Sequence, residues 1–384
     1  RLLADALGAV GPGRRGVLIC GPDCPGDDFP PAAAALAARL GWPILADPLS
    51  GLRHGPHVAG GLVLGGYPLW LPALSGRLAR PEAVARPEAV VRFGAVPTSA
   101  ALSAWLDEAA PARQVHVRDD GQWADDLHRT HTFIAADPAL FCRRLAALLG
   151  ADDATPGDWT AALCAAEAQT WAAVERALAA APLFDGAAVA RALAALPEGA
   201  VVFAGNSMPV RYVDAFDRPT TTARAIHGNR GASGIDGNVS TALGLAAATG
   251  RPVLALLGDI TFYHDMNGLL AVRQHGLRDV TFLVTNNDGG GIFRRLPIAR
   301  HDPPFTELFL TPHGLTFGHA AALYGLDYTA VTDVAALEAA LSATGHAARL
   351  IEVISDGAAD VDHHRAVLGA VAAALHSSAP AAAR

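Results

Sequence analysis

The chain has 384 residues, 51% of them apolar and only 17% charged, with a formal net charge of −8. That is enough apolar material for more than one buried core, and it excludes a disordered chain. The acidic balance and the lack of any basic block speak against nucleic acid or an anionic membrane as partner, and no apolar run reaches the roughly 18 residues of a spanning helix.

Four cysteines, Cys20, Cys24, Cys142 and Cys164, follow no zinc spacing. They predict structural thiols in a reducing cytoplasm. All 29 of the Lys and Arg residues are arginine. The missing lysine rules out a P-loop, a Schiff base or a kinase-type lysine within these residues. The first residue is Arg1, in the helical pattern "RLLADALGAVG", and a fragment of a longer chain is expected.

From residue 16 the pattern alternates buried strands with helices. "GVLIC" (16–20), "PILAD" (43–47), "GGLVLGG" (60–66), "AVVRFGA" (89–95), "QVHVRD" (114–119) and "THTFIAAD" (130–137) read as strands; "PAAAALAARLG" and "SAALSAWLDEAA" read as helices between them. This is the rhythm of an open parallel α/β sheet. Residues 1–153 are expected to form a Rossmann-like domain. It lacks a G-x-G-x-x-G after its first strand, so no dinucleotide is inferred. Residues 154–182 read as a linker helix, and 183–384 as a second α/β domain with strands near 200–205, 224–229, 252–259, 279–286 and 349–355. The fold class is therefore α/β, two doubly wound, mostly parallel-sheet domains. His54, His57, His128, His363 and His364 have no ligand spacing and read as surface or capping residues.

The informative stretch is "PVLALLGDITFYHDMNGLLAVRQHGLRDVTFLVTNND" (252–288). "VLALLGD" and "VTFLVTNN" are apolar throughout, which marks strands covered on both faces. A right-handed crossover through one helix makes them parallel, so Asp259 and Asn287 emerge at the same sheet edge, where α/β proteins bind ligands. The Asp259 carboxylate, the Asn287 amide oxygen and the backbone carbonyl of Gly289 are hard donors suited to Mg²⁺. Upstream, "HGNRGASGIDGNVSTALGLAAATG" (227–250) sets Gly231, Gly234 and Gly237 before a helix starting near Asn238 or Val239. Backbone amides there can approach an anion, and a metal beside such a turn is a way to hold a diphosphate.

"GD" followed at this distance by "NN" resembles the signature of thiamine-diphosphate (ThDP) enzymes. "GNSMPVR" (205–211), "GNRGASGIDG" (228–237) and "NNDGGGIFRRLP" (286–297) narrow the resemblance to the 2-succinyl-5-enolpyruvyl-6-hydroxy-3-cyclohexene-1-carboxylate synthase family of menaquinone biosynthesis. The resemblance implies a central Rossmann-like domain followed by a diphosphate-binding domain. It implies ThDP and Mg²⁺ (or Mn²⁺) as cofactors, with Asp259, Asn287 and Gly289 on the metal. Gly231, Ser233, Gly234, Ile235, Asp236, Gly258 and Ile260 would complete the cofactor site, Ile235 supporting the bent cofactor. It implies a reaction that decarboxylates 2-oxoglutarate and adds the four-carbon unit to isochorismate. Asn206, Ser207, Arg211 and Arg230 would bind carboxylates or hydroxyls of these polyanions, because arginine is the fork that fits a carboxylate. Ile292, Phe293 and Leu296 would wall the reacting carbons, and the site would lie between subunits of a homodimer or homotetramer.

The chain departs from the family in two places. No segment resembles the amino-terminal pyrimidine-binding domain that supplies a glutamate to the cofactor, and the chain is expected to continue upstream by roughly 160 to 190 residues. Ala100 stands where relatives often carry lysine; Ile260 replaces the third Gly of the general ThDP signature, which fits this branch of the family. Two other readings are open at this point: a different ThDP-dependent 2-oxo acid decarboxylase or carboligase, and a metabolite-binding relic without activity.

Overall fold

A computed structural model describes residues 11, 13–24, 26–75, 86–343 and 347–377. The helical pattern at Arg1 and the end of the Ala-rich tail lie outside them. The chain divides into two compact units, one running through Glu175 and also taking Arg218–Thr222 and the chain from Leu368 onward, the other comprising Arg176–Asp217 and Ala223–Val367.

The first unit is built on a parallel sheet of β1 (Gly16–Cys20), β2 (Ile44–Ala46), β3 (Val63–Leu64), β4 (Ala89–Phe93), β5 (Arg113–Arg118) and β6 (Thr132–Ala135), in the order β3-β2-β1-β4-β5-β6. That is the doubly wound Rossmann order. Helices α1 (Phe29–Leu40), α2 (Tyr67–Ser75) and α3 (Ala100–Ala109) lie between strands, and α4 (Pro138–Leu149) follows β6. Leu18, Val91 and Val117 from the sheet pack with Phe29, Leu36 and Phe141 in one core.

The expected linker helix is α5 (Asp158–Ala180), and its first part is not a linker. The buried Glu167 carboxylate accepts the backbone N–H groups of Gly65 and Gly66 at 2.8 and 3.0 Å and the indole N–H groups of Trp70 and Trp171 at 2.9 and 2.7 Å. A carboxylate so satisfied anchors the helix into the first unit, which is why that unit extends past residue 153.

The second unit carries α6 (Asp185–Ala194), β7 (Val201–Ala204), α7 (Met208–Phe216), β8 (Ala225–His227), α8 (Asn238–Thr249), β9 (Val253–Gly258) and α9 (Asp259–Asp265). It continues with α10 (Leu270–His275), β10 (Val280–Asn286), α11 (Gly318–Tyr324), β11 (Asp327–Val331), α12 (Val334–Ser342), β12 (Ala348–Ile354) and, as far as Val367, α13 (Gly357–Ser377). The strands are parallel, in the order β11-β12-β10-β9-β7-β8. The direction of winding reverses between β7 and β9, the place where such sheets open a crevice at their carboxyl ends.

Three details differ from the sequence reading. The single crossover helix between β9 and β10 is α9, a 3₁₀ turn at Met266–Leu269 and α10 in succession. β11 escaped notice because it is an edge strand, exposed at all but Val331, and so shows no apolar run. The histidines are not simply surface residues. His54 is buried with Nδ1 3.1 Å from Thr220 Oγ1, and His57 Nε2 lies 2.8 Å from the Leu52 carbonyl. His364 packs on Tyr212 and Phe216 with ring centroids 5.9 and 5.5 Å apart. Among the described residues no single helix is long and apolar enough to cross a membrane.

Candidate cofactor and metal site

β9 and β10 pair in register with Thr285 opposite Gly258, so the two strands end level and Asp259 and Asn287 emerge side by side. Asp259 is 2% exposed. Its Oδ2 accepts the Gly289 N–H at 2.9 Å and lies 3.2 Å from His313 Nε2, and its Oδ1 accepts the Ile260 N–H at 2.7 Å. Burial raises its pKa above the ordinary carboxylate value, and these donors only partly offset the rise. One acceptor position on Oδ1 is left over.

The two asparagines divide their work. Asn286 is structural: its Nδ2 donates to Glu352 Oε1 at 2.6 Å and to the Leu315 carbonyl at 2.8 Å. Asn287 donates Nδ2 to Asp185 Oδ2 at 2.7 Å, while its Oδ1 is buried without a hydrogen-bond partner among the described residues. A buried amide oxygen with no donor is costly unless a ligand completes it. Among the described residues the Gly289 carbonyl accepts the Gly291 N–H, at 2.9 Å, and no other backbone N–H, which leaves a lone pair.

Glycines at 289 and 291 are required locally. Gly289 has φ +133°, and a Cβ there would sit 2.0 Å from the Leu310 carbonyl oxygen. A Cβ on Gly291 would stand 2.8 Å from Asn287 Nδ2 and 3.0 Å from Oδ1. The "GGG" run therefore keeps the backbone close to the asparagine.

Asp259, Asn287 and Gly289 line one cavity of about 400 Å³. Ser207, Arg211, Arg230, Ser233, Ile235, Gly258, Ile260, Ile292 and Phe293 line it too, and so does Asp185. Asn206, Gly231, Gly234, Asp236 and Leu296 lie outside the lining. Asn206 spends its amide internally, donating to the Asn229 and Gly234 carbonyls at 2.8 and 2.6 Å and accepting from Arg230 Nη1 at 2.7 Å. It thereby aims Arg230 instead of facing the cavity. The Asp236 side chain is solvent-exposed near His264, and Leu296 is 45% exposed.

The amino end of α8 lies off the lining as well. Gly237 caps it in the left-handed conformation, and Asp265 already accepts the Ser240 N–H at 2.7 Å. The cavity meets Gly258–Thr261 at the start of α9 instead.

Arg211 and Arg230 have no carboxylate within ion-pair range among the described residues. Arg211 donates to the Ser207 carbonyl at 2.5 Å. Partial burial, and after it the Arg230 charge, lower its pKa from the ordinary value. Ser207 itself has φ +69°, a conformation that costs a non-glycine residue about 1–3 kcal/mol and that recurs at ligand sites.

Asp185 was not foreseen. It is the first residue of α6, 1% exposed, and in sequence it reads only as an acidic residue in a helix's first turn. Burial, with the Asp360 carboxylate nearby, pushes its pKa up to about 7. Behind it, Asp360 Oδ2 accepts from Tyr212 at 2.5 Å and Arg295 at 2.8 Å.

No cluster of three His, Cys, Asp or Glu among the described residues could hold a metal. The donor set is instead carboxylate, amide and backbone carbonyl, the chemistry of Mg²⁺ or Mn²⁺, and the unpaired Asn287 oxygen fits such an ion. A switch-point cavity with hard-oxygen donors and two arginines out of ion-pair range of any described carboxylate fits an anionic ligand, in a doubly wound α/β protein.

The comparisons with known proteins agree. The family model described as the middle domain of thiamine pyrophosphate enzymes matches residues 12–203, and that of the C-terminal TPP binding domain matches residues 207–353. The chain belongs to the thiamine pyrophosphate enzyme family, and its second unit carries the family's thiamine-diphosphate-binding domain. It is 50% identical over 361 residues to a Roseiflexus sp. protein named 2-succinyl-5-enolpyruvyl-6-hydroxy-3-cyclohexene-1-carboxylate synthase, covering 92% of this chain and 59% of the relative. A protein of the same name from Halobacterium salinarum is 46% identical over 350 residues, with 90% and 57% covered. The chain thus spans about three fifths of the length of these curated relatives. Among solved structures, benzoylformate decarboxylase from Polynucleobacter necessarius shares the fold, with a TM-score of 0.61 at 18% identity over 93% of this chain and 64% of that one.

Proposed function

We propose that this chain forms the central and cofactor-binding portions of a cytoplasmic enzyme that decarboxylates 2-oxoglutarate and adds the four-carbon unit to isochorismate. The product would be 2-succinyl-5-enolpyruvyl-6-hydroxy-3-cyclohexene-1-carboxylate, a step of menaquinone biosynthesis. The observation that carries the reading is the pair Arg211 and Arg230, both lining the cavity that holds Asp259 and Asn287, with no carboxylate in ion-pair range of either among the described residues.

Asp259, Asn287 and the Gly289 carbonyl would hold Mg²⁺ (or Mn²⁺), and the ion would neutralise the diphosphate. When bound, ThDP supplies the nucleophilic carbon and the electron sink for decarboxylation. The chain's residues position and exclude. Ile235 would support the cofactor, and Ile292 and Phe293 would keep water from the reacting carbons. Arg211 and Arg230 would bind substrate carboxylates as bidentate forks, with Asn206 fixing the direction of Arg230 and the Ser207 hydroxyl offering a further hydrogen bond. A donor acid with one carboxylate, such as pyruvate, needs no such pair, so the arginines favour a dicarboxylate. The site would be completed between subunits of a homodimer or homotetramer.

The test extends the chain at its amino end to the relatives' full length and follows 2-oxoglutarate loss and product mass. A succinyl-cyclohexene carboxylate is expected only with ThDP, Mg²⁺, 2-oxoglutarate and isochorismate together, and Arg211→Ala and Arg230→Ala should each raise the KM for a carboxylate substrate. Equal consumption of pyruvate, or no consumption of either acid, would overturn the reading.

A further inference from the structure

The Asn287 amide can lie either way round, and only one way offers an oxygen to a cation. In the observed orientation Nδ2 donates to Asp185 Oδ2 at 2.7 Å and Oδ1 is left buried and unpaired. Reversal would press Oδ1 against the Asp185 oxygen at the same short distance, two electronegative atoms facing each other. Asp185 is itself held: its Oδ1 accepts the Ser355 hydroxyl at 2.5 Å, and the Ser355 N–H donates to the Asn286 carbonyl at 3.0 Å. The groups close a ring from the end of β10 through α6 to the end of β12 and back. On the other side of the amide, the missing Cβ of Gly291 leaves the only room it needs.

We propose that Asp185 is a positioning residue for the cation, turning the Asn287 amide so that Oδ1 faces the metal. This rests on the metal and ThDP reading given above. Asp185 meets the ligand residue at its amide nitrogen, so it acts through Asn287, as second-sphere partners of metal ligands do.

The test titrates Mn²⁺ into the full chain in the presence of thiamine diphosphate and reads free Mn²⁺ by electron paramagnetic resonance. Asp185→Ala is expected to weaken Mn²⁺ binding about 10- to 100-fold. Asp185→Asn should stay within about threefold of the parent, because its own amide oxygen can still accept from Asn287 Nδ2. Ser355→Ala, which leaves the Asn287 contact in place, should also stay within about threefold. If Asp185→Ala does not fold by circular dichroism, Asp185→Leu, of similar volume and without an acceptor, takes its place in the comparison. Parent-like Mn²⁺ affinity in the variant lacking the acceptor would overturn the inference. So would Asp185→Asn as weak as that variant, which would make charge the cause, or Ser355→Ala as weak, which would make it packing. A parent protein that takes up no Mn²⁺ with thiamine diphosphate would overturn the metal reading, and this inference with it.

Discussion

His313 Nε2 lies 3.2 Å from Asp259 Oδ2, while His313 Nδ1 accepts the Leu315 N–H at 2.9 Å. An Nδ1 that accepts leaves the ring proton on Nε2, so His313 donates to the aspartate. Its segment is tied down on every side. Asp288 Oδ1 accepts the N–H groups of His313 and Gly314 at 2.8 and 2.7 Å, Asn286 donates to the Leu315 carbonyl, and Phe317 N–H donates to Glu352 Oε2 at 3.0 Å. With the Gly289 and Ile260 amides, the histidine occupies three of the four acceptor positions of Asp259 and leaves Oδ1 one direction for a ligand.

His313→Ala is therefore expected to weaken Mg²⁺-dependent ThDP binding by about tenfold, the usual scale for losing a second-sphere partner. Isothermal titration calorimetry reads this directly. Unaltered affinity would mean that the two backbone amides alone orient the carboxylate.

Asp259→Ala should abolish metal-dependent ThDP binding with the fold retained, since the carboxylate sits past the end of β9 and outside the core. The Gly289 and Ile260 amides lose their acceptor, however, so stability should fall by about 1–3 kcal/mol. Calorimetric titration and a urea melt of the same sample separate the two effects. Retained cofactor affinity would show that the ligand set is misassigned.

Gly291→Ala should act on the site more than on the fold. The nearest atoms to its Cβ are those of the Asn287 side chain, 2.8 Å from Nδ2 and 3.0 Å from Oδ1, so the amide must turn away. A loss of Mn²⁺ affinity of about tenfold is expected, the scale seen when a ligand is disoriented, with a near-parent melting temperature. The reverse pattern, a lower melting temperature with unchanged affinity, would count against the crowding argument.

Glu352 is fully buried and accepts from Asn286 Nδ2 at 2.6 Å, Phe317 N–H at 3.0 Å and the Tyr328 hydroxyl at 2.7 Å. Glu352→Ala would leave these donors unsatisfied and open a void in the central strand β12. A destabilisation of about 3 kcal/mol or more in urea unfolding is expected. A loss below about 1 kcal/mol, the size of an ordinary single hydrogen bond, would show that this network is dispensable.

His364 gives the second unit a pH dependence with a defined sign. Burial first, and then the Arg295 charge, pull its pKa down to about 4. An unfolded histidine titrates near ~6.5, so the unfolded chain binds the proton more readily. Stability from this group is fully present above that value, is lost as pH falls through about 4, and changes no further below it. Urea midpoints should decline on going from about pH 7 to pH 4.5, and the decline should be shallower in His364→Phe. Equal slopes in the two proteins would assign the dependence to other groups.

The readable part of this protein was what periodicity and local chemistry carry. Short strand-like runs marked eleven of the strands named above, and β11 was missed because it is exposed at all but Val331 and so offers no apolar run. The placement of Asp259 and Asn287 at one sheet edge was legible because each directly follows such a run, and parallel pairing brings strand ends together. The arginines and Ser207 were legible through a family resemblance, and the cavity gathers them.

Other assignments depended on contacts between residues far apart in the chain. Asn206 matched a motif but turns its amide inward to the 229–234 loop, a choice made by which carbonyls lie within reach. Asp185 is 102 residues from Asn287, His313 is 54 from Asp259, and Glu352 is 66 from Asn286. No spacing rule connects residues at such separations. The sequence by itself determined a pair of parallel α/β sheets and the residue types that stand at the carboxyl ends of β9 and β10, because strand burial and strand-end chemistry are local. Only the tertiary structure decided which way each ligand faces, because an amide or carboxylate is oriented by whichever donors and acceptors the fold packs against it.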